Sequence, residues 1–182
     1  MDDDTDQALV ERWRAGDREA FTALVIRYQR PIYNAAFWIL RKAEDASDIT
    51  QIVFLRVAQR LDEYDAHYKF FSWIYRIAVN ESLNLLRRNG REEALDDEVE
   101  LPGPTSDDPE HRLADAQLAA RIRSALMRLS TTDRMVLTLR HFSECSYQEI
   151  GQILDLDEKR VKSRLYEARQ HLRSMLKDLR PD

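Results

Sequence analysis

The chain is predicted to be all-α, with two small helical domains joined by an acidic flexible linker. Three observations predict it. Four glycines and five prolines among 182 residues are too few turn formers for a strand-and-turn protein. Apolar residues recur at helical spacing through both ends of the chain. Between them, Pro102, Pro104 and Pro109 fall within eight residues, beside Gly103, Thr105, Ser106, Asp107 and Asp108. Residues 91–115 hold ten acids against two bases, too charged and too poor in apolar residues to build a core. The expected division is therefore 1–90, a linker over 91–115, and 116–182. Each flanking domain is below 100 residues, so each has a small core that gains stability from what it binds.

In the first domain the periodicity predicts helices over roughly 5–15, 18–41, 44–62 and 70–89. Gly16-Asp17 and Gly90 mark boundaries, with Asp17 as a helix cap. Pro31 interrupts the second segment and should kink or restart it, because proline removes an amide donor from the ladder. The fourth segment is unusual. From Tyr68 to Asn80 it holds five aromatic residues among Lys69, Arg76 and Asn80, with Tyr64 and His67 in the loop before it. Aromatic faces mixed with cations and amides suit unstacked single-stranded bases, where stacking contributes roughly 1–3 kcal/mol per base. Phe71, Trp73, Ile74 and Ile77 fit the core; Tyr64, His67, Tyr68, Lys69, Arg76 and Asn80 are the candidates for contact.

The second domain ends in two short helices joined by a polar turn. Ser146 and Glu149 have the S-x-x-E spacing of a capping box, ahead of the apolar Ile150, Ile153 and Leu154. Asp155 tolerates the left-handed turn that ends this helix, and Asp157 can cap the next one. There Val161, Leu165, Ala168 and Leu172 step by four, three and four, turning Lys159, Lys162, Ser163, Tyr166 and Glu167 outward. This is a helix-turn-helix for the major groove. The net charge of −5 conceals its basic character: Lys159 to Arg180 holds eight bases against two acids, while the excess acid sits at Asp2–Asp4 and in the linker. A solvated amphipathic helix in a bundle is the plainer alternative.

One cysteine excludes an internal disulfide and fits a reducing compartment. No apolar run is long enough for a signal peptide or a membrane span, so no membrane insertion and a cytoplasmic location are expected. His141 and Cys145 could in principle share a helical face as a metal or nucleophile pair. No further histidine or cysteine lies at ligand spacing, and no phosphate-binding glycine loop occurs, so no enzyme, metal or cofactor is predicted.

Taken together, Trp73-Ile-Tyr-Arg-Ile-Ala-Val-Asn80 and Ser146-Tyr-Gln-Glu-Ile with Val161-Lys-Ser-Arg-Leu165 resemble the extracytoplasmic-function (ECF, group IV) sigma factors of the sigma-70 family. Other segments extend the resemblance over nearly the whole chain. They include Leu9-Val-Glu-Arg with Gly16-Asp17, Asp45-Ala-Ser-Asp-Ile-Thr-Gln51, and Arg128-Leu with Arg134 and Val136-Leu. The resemblance implies a sigma-2-like four-helix domain and a sigma-4-like helix-turn-helix domain, with no catalytic chemistry. Its implied partners are core RNA polymerase, through the β′ clamp helices and β flap, then promoter DNA and an anti-sigma factor. On the clamp helix, Asp45, Asp48, Gln51, Phe54 and Arg56 are the implied polymerase contacts. The loop near Tyr64 to Lys69 and the helix holding Asn80 would melt and read the minus-10 element. Lys159, Arg160, Lys162, Ser163, Arg164, Tyr166, Glu167 and Arg169 would meet the minus-35 element, and the linker would occupy the RNA exit path.

Some positions depart from the family pattern. Ser47 and Ile52 stand where the clamp helix usually has acids, and Ser47 and Thr50 are candidate phosphorylation sites that could restore the missing charge. Glu167 stands where arginine is frequent. It could accept a hydrogen bond from cytosine N4 or pair with Lys162 or Arg164 along the helix. A helix-turn-helix regulator acting outside the polymerase is the rival reading, and it leaves the aromatic helix unexplained.

Overall fold

The computed structural model describes residues 5–88, 109–141 and 143–177. Thr5 caps α1 (Asp6–Arg14), and Gly16, at φ +96°, makes the turn out of it. Asp17 then caps α2 (Arg18–Leu40): its Oδ1 accepts from the Glu19 amide at 2.9 Å while Oδ2 takes Arg12 at 2.7 Å. Pro31 lies inside α2 and does not restart it. Leu24, Tyr28, Ile32 and Ala36 form one buried stripe across the proline, and that continuous packing outweighs the roughly 3 kcal/mol a helical proline costs.

Next come α3 (Ala43–Gln59), a single 3-10 turn at Leu61–Glu63, and α4 (Phe70–Arg88). The apolar period predicted helix to residue 62; the period persists there, but the hydrogen bonding tightens to the 3-10 form. Gly90 and linker residues 91–108 lie outside the described residues. The linker was expected to reach 115, yet α5 (Pro109–Met127) begins six residues earlier. Pro109 starts a helix rather than closing a linker, because the first helical amide has no partner to lose. The remaining elements are α6 (Thr131–His141), α7 (Tyr147–Leu154) and α8 (Glu158–Met175).

Helices α1 to α4 pack together, and α6, α7 and α8 form a second group with α5 against α8. The two groups also touch: α4 lies on α7 and α2 on α6. The buried apolar residues therefore run as one cluster from Leu9 to Ala168, where two separate small cores were expected. Periodicity specifies that α2 and α4 have apolar faces, but not how many neighbours those faces cover.

The seam between the groups holds an arginine. Arg134 is 0% exposed; its Nε donates to the Trp38 carbonyl in the last turn of α2 at 2.5 Å. Nη1 donates to the carbonyls of Met127 and Leu129 at 3.1 and 3.3 Å, where α5 ends. Arg41, left-handed at the C-cap of α2, donates to the same Met127 carbonyl. One guanidinium thus serves orphan carbonyls at two helix C-termini, whose partial negative charge favours it. Burial, then the nearby Arg41 charge, pushes its pKa down to about 9, so it stays charged at neutral pH.

Arg134→Ala should cost about 3 kcal/mol or more, since it opens a cavity and strips donors from buried carbonyls. Thermal unfolding of the full chain should show a midpoint lower by roughly 6–12 °C. Arg134→Lys should recover only a minor part, because one ammonium cannot span three carbonyls; a wild-type midpoint for either variant contradicts the assignment.

Candidate nucleic-acid interface

The α7–α8 pair is built by local chemistry. The Ser146 amide donates to Glu149 Oε2 at 2.7 Å, and the Glu149 amide donates to Ser146 Oγ at 3.2 Å, closing the capping box. Asp155 takes the left-handed conformation at φ 56°, and the amides of Asp155 and Leu156 both turn back to the Gly151 carbonyl. Gly151 is required here: a Cβ would sit 2.6 Å from the Leu156 carbonyl oxygen. Asp157 caps α8 through the Arg160 amide at 2.8 Å.

Val161, Leu165 and Ala168 are buried, which leaves Lys159, Arg160, Lys162, Ser163, Arg164, Tyr166, Glu167 and Arg169 on the exposed face. Most of these cations rest against acids of this half. Lys162 Nζ lies 2.6 Å from Glu158 and 5.4 Å from the Tyr147 ring centre; Arg160 is 3.4 Å from Asp157. Arg164 lies 3.6 Å from the buried Asp133 and 4.0 Å from Glu167. Glu167 also accepts from Ser163 at 3.3 Å, while Lys162 goes to Glu158 instead of Glu167. Arg169 approaches His141 Nε2 at 3.3 Å, and burial followed by Arg169 and Arg140 lowers the His141 pKa. Cys145 is buried and its thiol is pushed up to about 12, which removes it as a nucleophile.

A second feature is concave. Tyr64, Tyr68, Arg76 and Asn80 line a cavity of about 650 Å³ over α4; His67 and Lys69 stand outside it. Tyr68 is half exposed, whereas Tyr64 is only 6% exposed. The Tyr64 ring meets Phe70 edge-on with centres 5.5 Å apart, and its hydroxyl donates to the Tyr68 carbonyl at 2.7 Å. Tyr64 is therefore the wall that holds the loop, and Tyr68 is the available face. Arg14 fixes the other side of that loop, donating to the carbonyls of Leu61 and Tyr64 at 3.1 and 2.8 Å. His67 is fully turned out and bound by its own neighbour, Asp65, at 2.7 Å.

The remaining candidate face is on α3. Ala46, Ile49, Val53 and Val57 are buried, so Asp48, Gln51, Ile52 and Leu55 share the outer side. Asp45 and Phe54 are half-buried at its margins, and Arg56 reaches Glu81 of α4 at 3.5 Å. Ser47 is exposed, but the Thr50 hydroxyl donates to the Ala46 carbonyl at 2.7 Å.

The description "Sigma-70 region 2" matches residues 24–92, which carry most of α2, all of α3, α4 and most of the cavity's lining. "Sigma-70, region 4" matches residues 119–172, which carry the helix-turn-helix. The chain is 31% identical over 179 residues to the ECF RNA polymerase sigma factor SigW of Bacillus subtilis, covering 93% of this chain and 96% of that one. It is 32% identical over 184 residues to the ECF RNA polymerase sigma-E factor of Escherichia coli K12, covering 96% of each.

The chain belongs to the ECF sigma factors.

It is a transcription initiation factor and not an enzyme, and two sigma regions in one chain disfavour the stand-alone regulator. The structure of CnrH in complex with the cytosolic domain of CnrY superposes with a TM-score of 0.71 at 27% identity, over 96% of this chain and 99% of that one. Among the described residues, no helix is long and apolar enough to cross a membrane.

Sequence reasoning missed three residues of this sigma factor. Trp73, assigned to the core, is only half-buried and lines the cavity. Ser72 lines it too, 3% exposed and with no hydrogen-bond partner for its Oγ among the described residues. Leu55, 62% exposed, extends the apolar part of the α3 face. The Asp48, Ile52, Leu55 spacing on one helical turn after another could have found Leu55. Nothing in the sequence marks Ser72.

The two tyrosines should separate in function. Tyr64→Phe loses one hydrogen bond, about 1 kcal/mol, and should still support promoter melting by holoenzyme. Tyr68→Ala should keep its melting temperature and lose most permanganate reactivity at the start site. Equal loss of reactivity in Tyr64→Phe would make its hydroxyl a direct DNA contact.

Proposed function

We propose that this sigma factor binds core RNA polymerase through the outer face of α3, opens the minus-10 element at the α4 cavity and reads the minus-35 element with α8. One observation carries the assignment: the chain has two unlike surfaces, each suited to a different state of DNA. The cavity is concave, with aromatic walls, Arg76, Asn80 and an unpartnered Ser72 hydroxyl, as an extruded base requires. The α8 face is convex and cationic, and is presented by a helix-turn-helix, as duplex DNA requires. Between α5, α6 and α8 another concavity of about 450 Å³, walled by Ile122, Leu126, Leu137 and Leu172, offers an apolar seat for the polymerase flap. Such a factor works in the cytoplasm, where polymerase and promoters are.

On α3, Asp48, Gln51, Ile52 and Leu55 form a mixed stripe, so docking combines an acid with apolar contact. Ser47 is the accessible phosphorylation candidate, because the Thr50 hydroxyl is already bonded to the backbone. Ser47→Glu should raise affinity for an isolated β′ clamp fragment; unchanged affinity removes the idea. An anti-sigma factor is the proposed antagonist, in line with the CnrH relative, which was solved with the cytosolic domain of CnrY.

On the minus-35 element, Lys162 is assigned to the backbone and Glu167 to a base edge. Releasing Lys162 from Glu158 breaks only a solvent-screened surface pair, which holds little. Lys162→Ala should lower transcription from every member of a randomised minus-35 library and reduce the salt slope of binding by about 1. Glu167→Arg should shift the preferred base at one position toward guanine. An unchanged preference would leave Glu167 as a partner of Ser163 and Arg164 only.

A further inference from the structure

A cavity that neither DNA surface uses lies where α2, α4 and α6 meet. It measures about 490 Å³, within the roughly 300–1,000 Å³ that small-ligand sites span. Its walls are largely apolar and rich in rings. Tyr28 and Trp38 come from α2 and Phe71 and Tyr75 from α4, while α6 adds Met135 and Leu139. The Phe71 and Tyr75 ring centres are 4.3 Å apart, with planes 32° from parallel. Tyr75 is buried, but Phe71 is only half-buried and keeps ring surface uncovered.

One edge of the cavity is polar. Arg27, Arg30 and Asn34 follow one another at three- and four-residue steps, so a single stripe of α2 brings two cations and an amide to the same side. No carboxylate lines the cavity among the described residues. Arg27 is held 2.5 Å from Asp6, whose carboxylate also accepts the Tyr28 hydroxyl. Arg30 is exposed and has no acid partner among the described residues, so it is the cation left to meet a ligand. Inside, the Tyr75 hydroxyl lies 3.4 Å from Ser143 Oγ, a long bond that is readily exchanged. Burial pushes the Tyr75 pKa up to about 12, so the phenol keeps its proton at neutral pH. Rings beside a cationic edge complement a flat, apolar body that carries one negative charge.

We propose that this cavity binds a small aromatic carboxylate, its ring against Phe71 and Tyr75 and its carboxylate on Arg30 and the Asn34 amide. An alkyl chain would gain similar burial but no stacking, and a neutral ring would leave Arg30 unmatched. The site is separate from the surfaces assigned to polymerase and promoter, since none of the residues assigned to them lines it. It gives the factor a chemical input of its own. Three helices supply the walls, so a bound ligand stabilises the packed chain by mass action.

The test titrates the full chain, by isothermal calorimetry, with naphthoate, its neutral counterpart naphthalenemethanol, and decanoate. Naphthoate should bind about tenfold tighter than the alcohol, which lacks the charge-assisted bond to Arg30. It should bind about fivefold tighter than decanoate, which has no ring to stack. Arg30→Gln, at an exposed position that leaves the fold intact, should erase the preference for naphthoate over the alcohol while holding the alcohol within about twofold of its wild-type affinity. Ala35 lines the cavity, so Ala35→Phe should fill it and abolish binding of all three probes. No naphthoate binding by wild type, equal affinity for naphthoate and the alcohol, or decanoate as tight as naphthoate each overturns the proposal. So does an unaltered preference in Arg30→Gln, or wild-type binding by Ala35→Phe, which would move the ligand to another surface.

Discussion

A guanidinium taken wholly out of water is costly unless its donors are met, and Arg134 has Nε and Nη1 met only where three segments converge. Its Nε faces the end of α2 while Nη1 faces the end of α5, so α6 is held in one orientation to both. Because α6 packs on α8 and α7, that orientation carries the helix-turn-helix with it and lays α7 along α4. Nη2 has no partner among the described residues, so the seam is incompletely satisfied. An unmatched donor in a low-dielectric site weakens the contact that the other donors make.

The electrostatics follow a similar pattern of provisional pairing. Although the chain carries a net charge of −5, cations gather on the exposed face of α8 and around the α4 cavity. Arg160, Lys162 and Arg164 each have an acid of this chain within 4.0 Å. These pairs are at the surface or its edge, where each contributes little, so exchanging a carboxylate for a phosphate costs little. The acids still lower nonspecific attraction for duplex DNA. Asp133 differs from the others: it is buried at the start of α6 beneath Arg164, and so it also sets where that guanidinium stands.

In the first helical group the aromatic residues divide by depth. Phe70 and Tyr64 are buried edge-to-face and fix the loop against α4; Trp73 and Tyr68 are the surfaces left over. The same sequence cluster thus supplies both scaffold and contact. Four exposed aromatic rings would have been an aggregation hazard, and four buried ones would have offered no stacking face.

What the sequence determined by itself was everything set within about four residues along the chain. Asp17, Ser146 with Glu149, Asp155 and Asp157 act on their own helix ends, and each stands in the role its residue type implies. The apolar period likewise placed α1 to α4, α7 and α8, though not α5 and α6, and turned the cations of α8 outward, because that face is defined by the helix alone. Tertiary structure decided the rest. Arg134 has the side chain of a surface residue and lies at the centre of the molecule, since only folding brings the carbonyls of Trp38, Met127 and Leu129 to one point. Tyr64 became a wall and Ser72 an unpartnered hydroxyl through neighbours outside their own turn of chain. Pro109 opened a helix inside a stretch whose composition reads as linker, because acidity reports poor burial and says nothing about backbone hydrogen bonding. Which residues end up facing each other across a seam depends on contacts distant in sequence, and no local pattern carries that information.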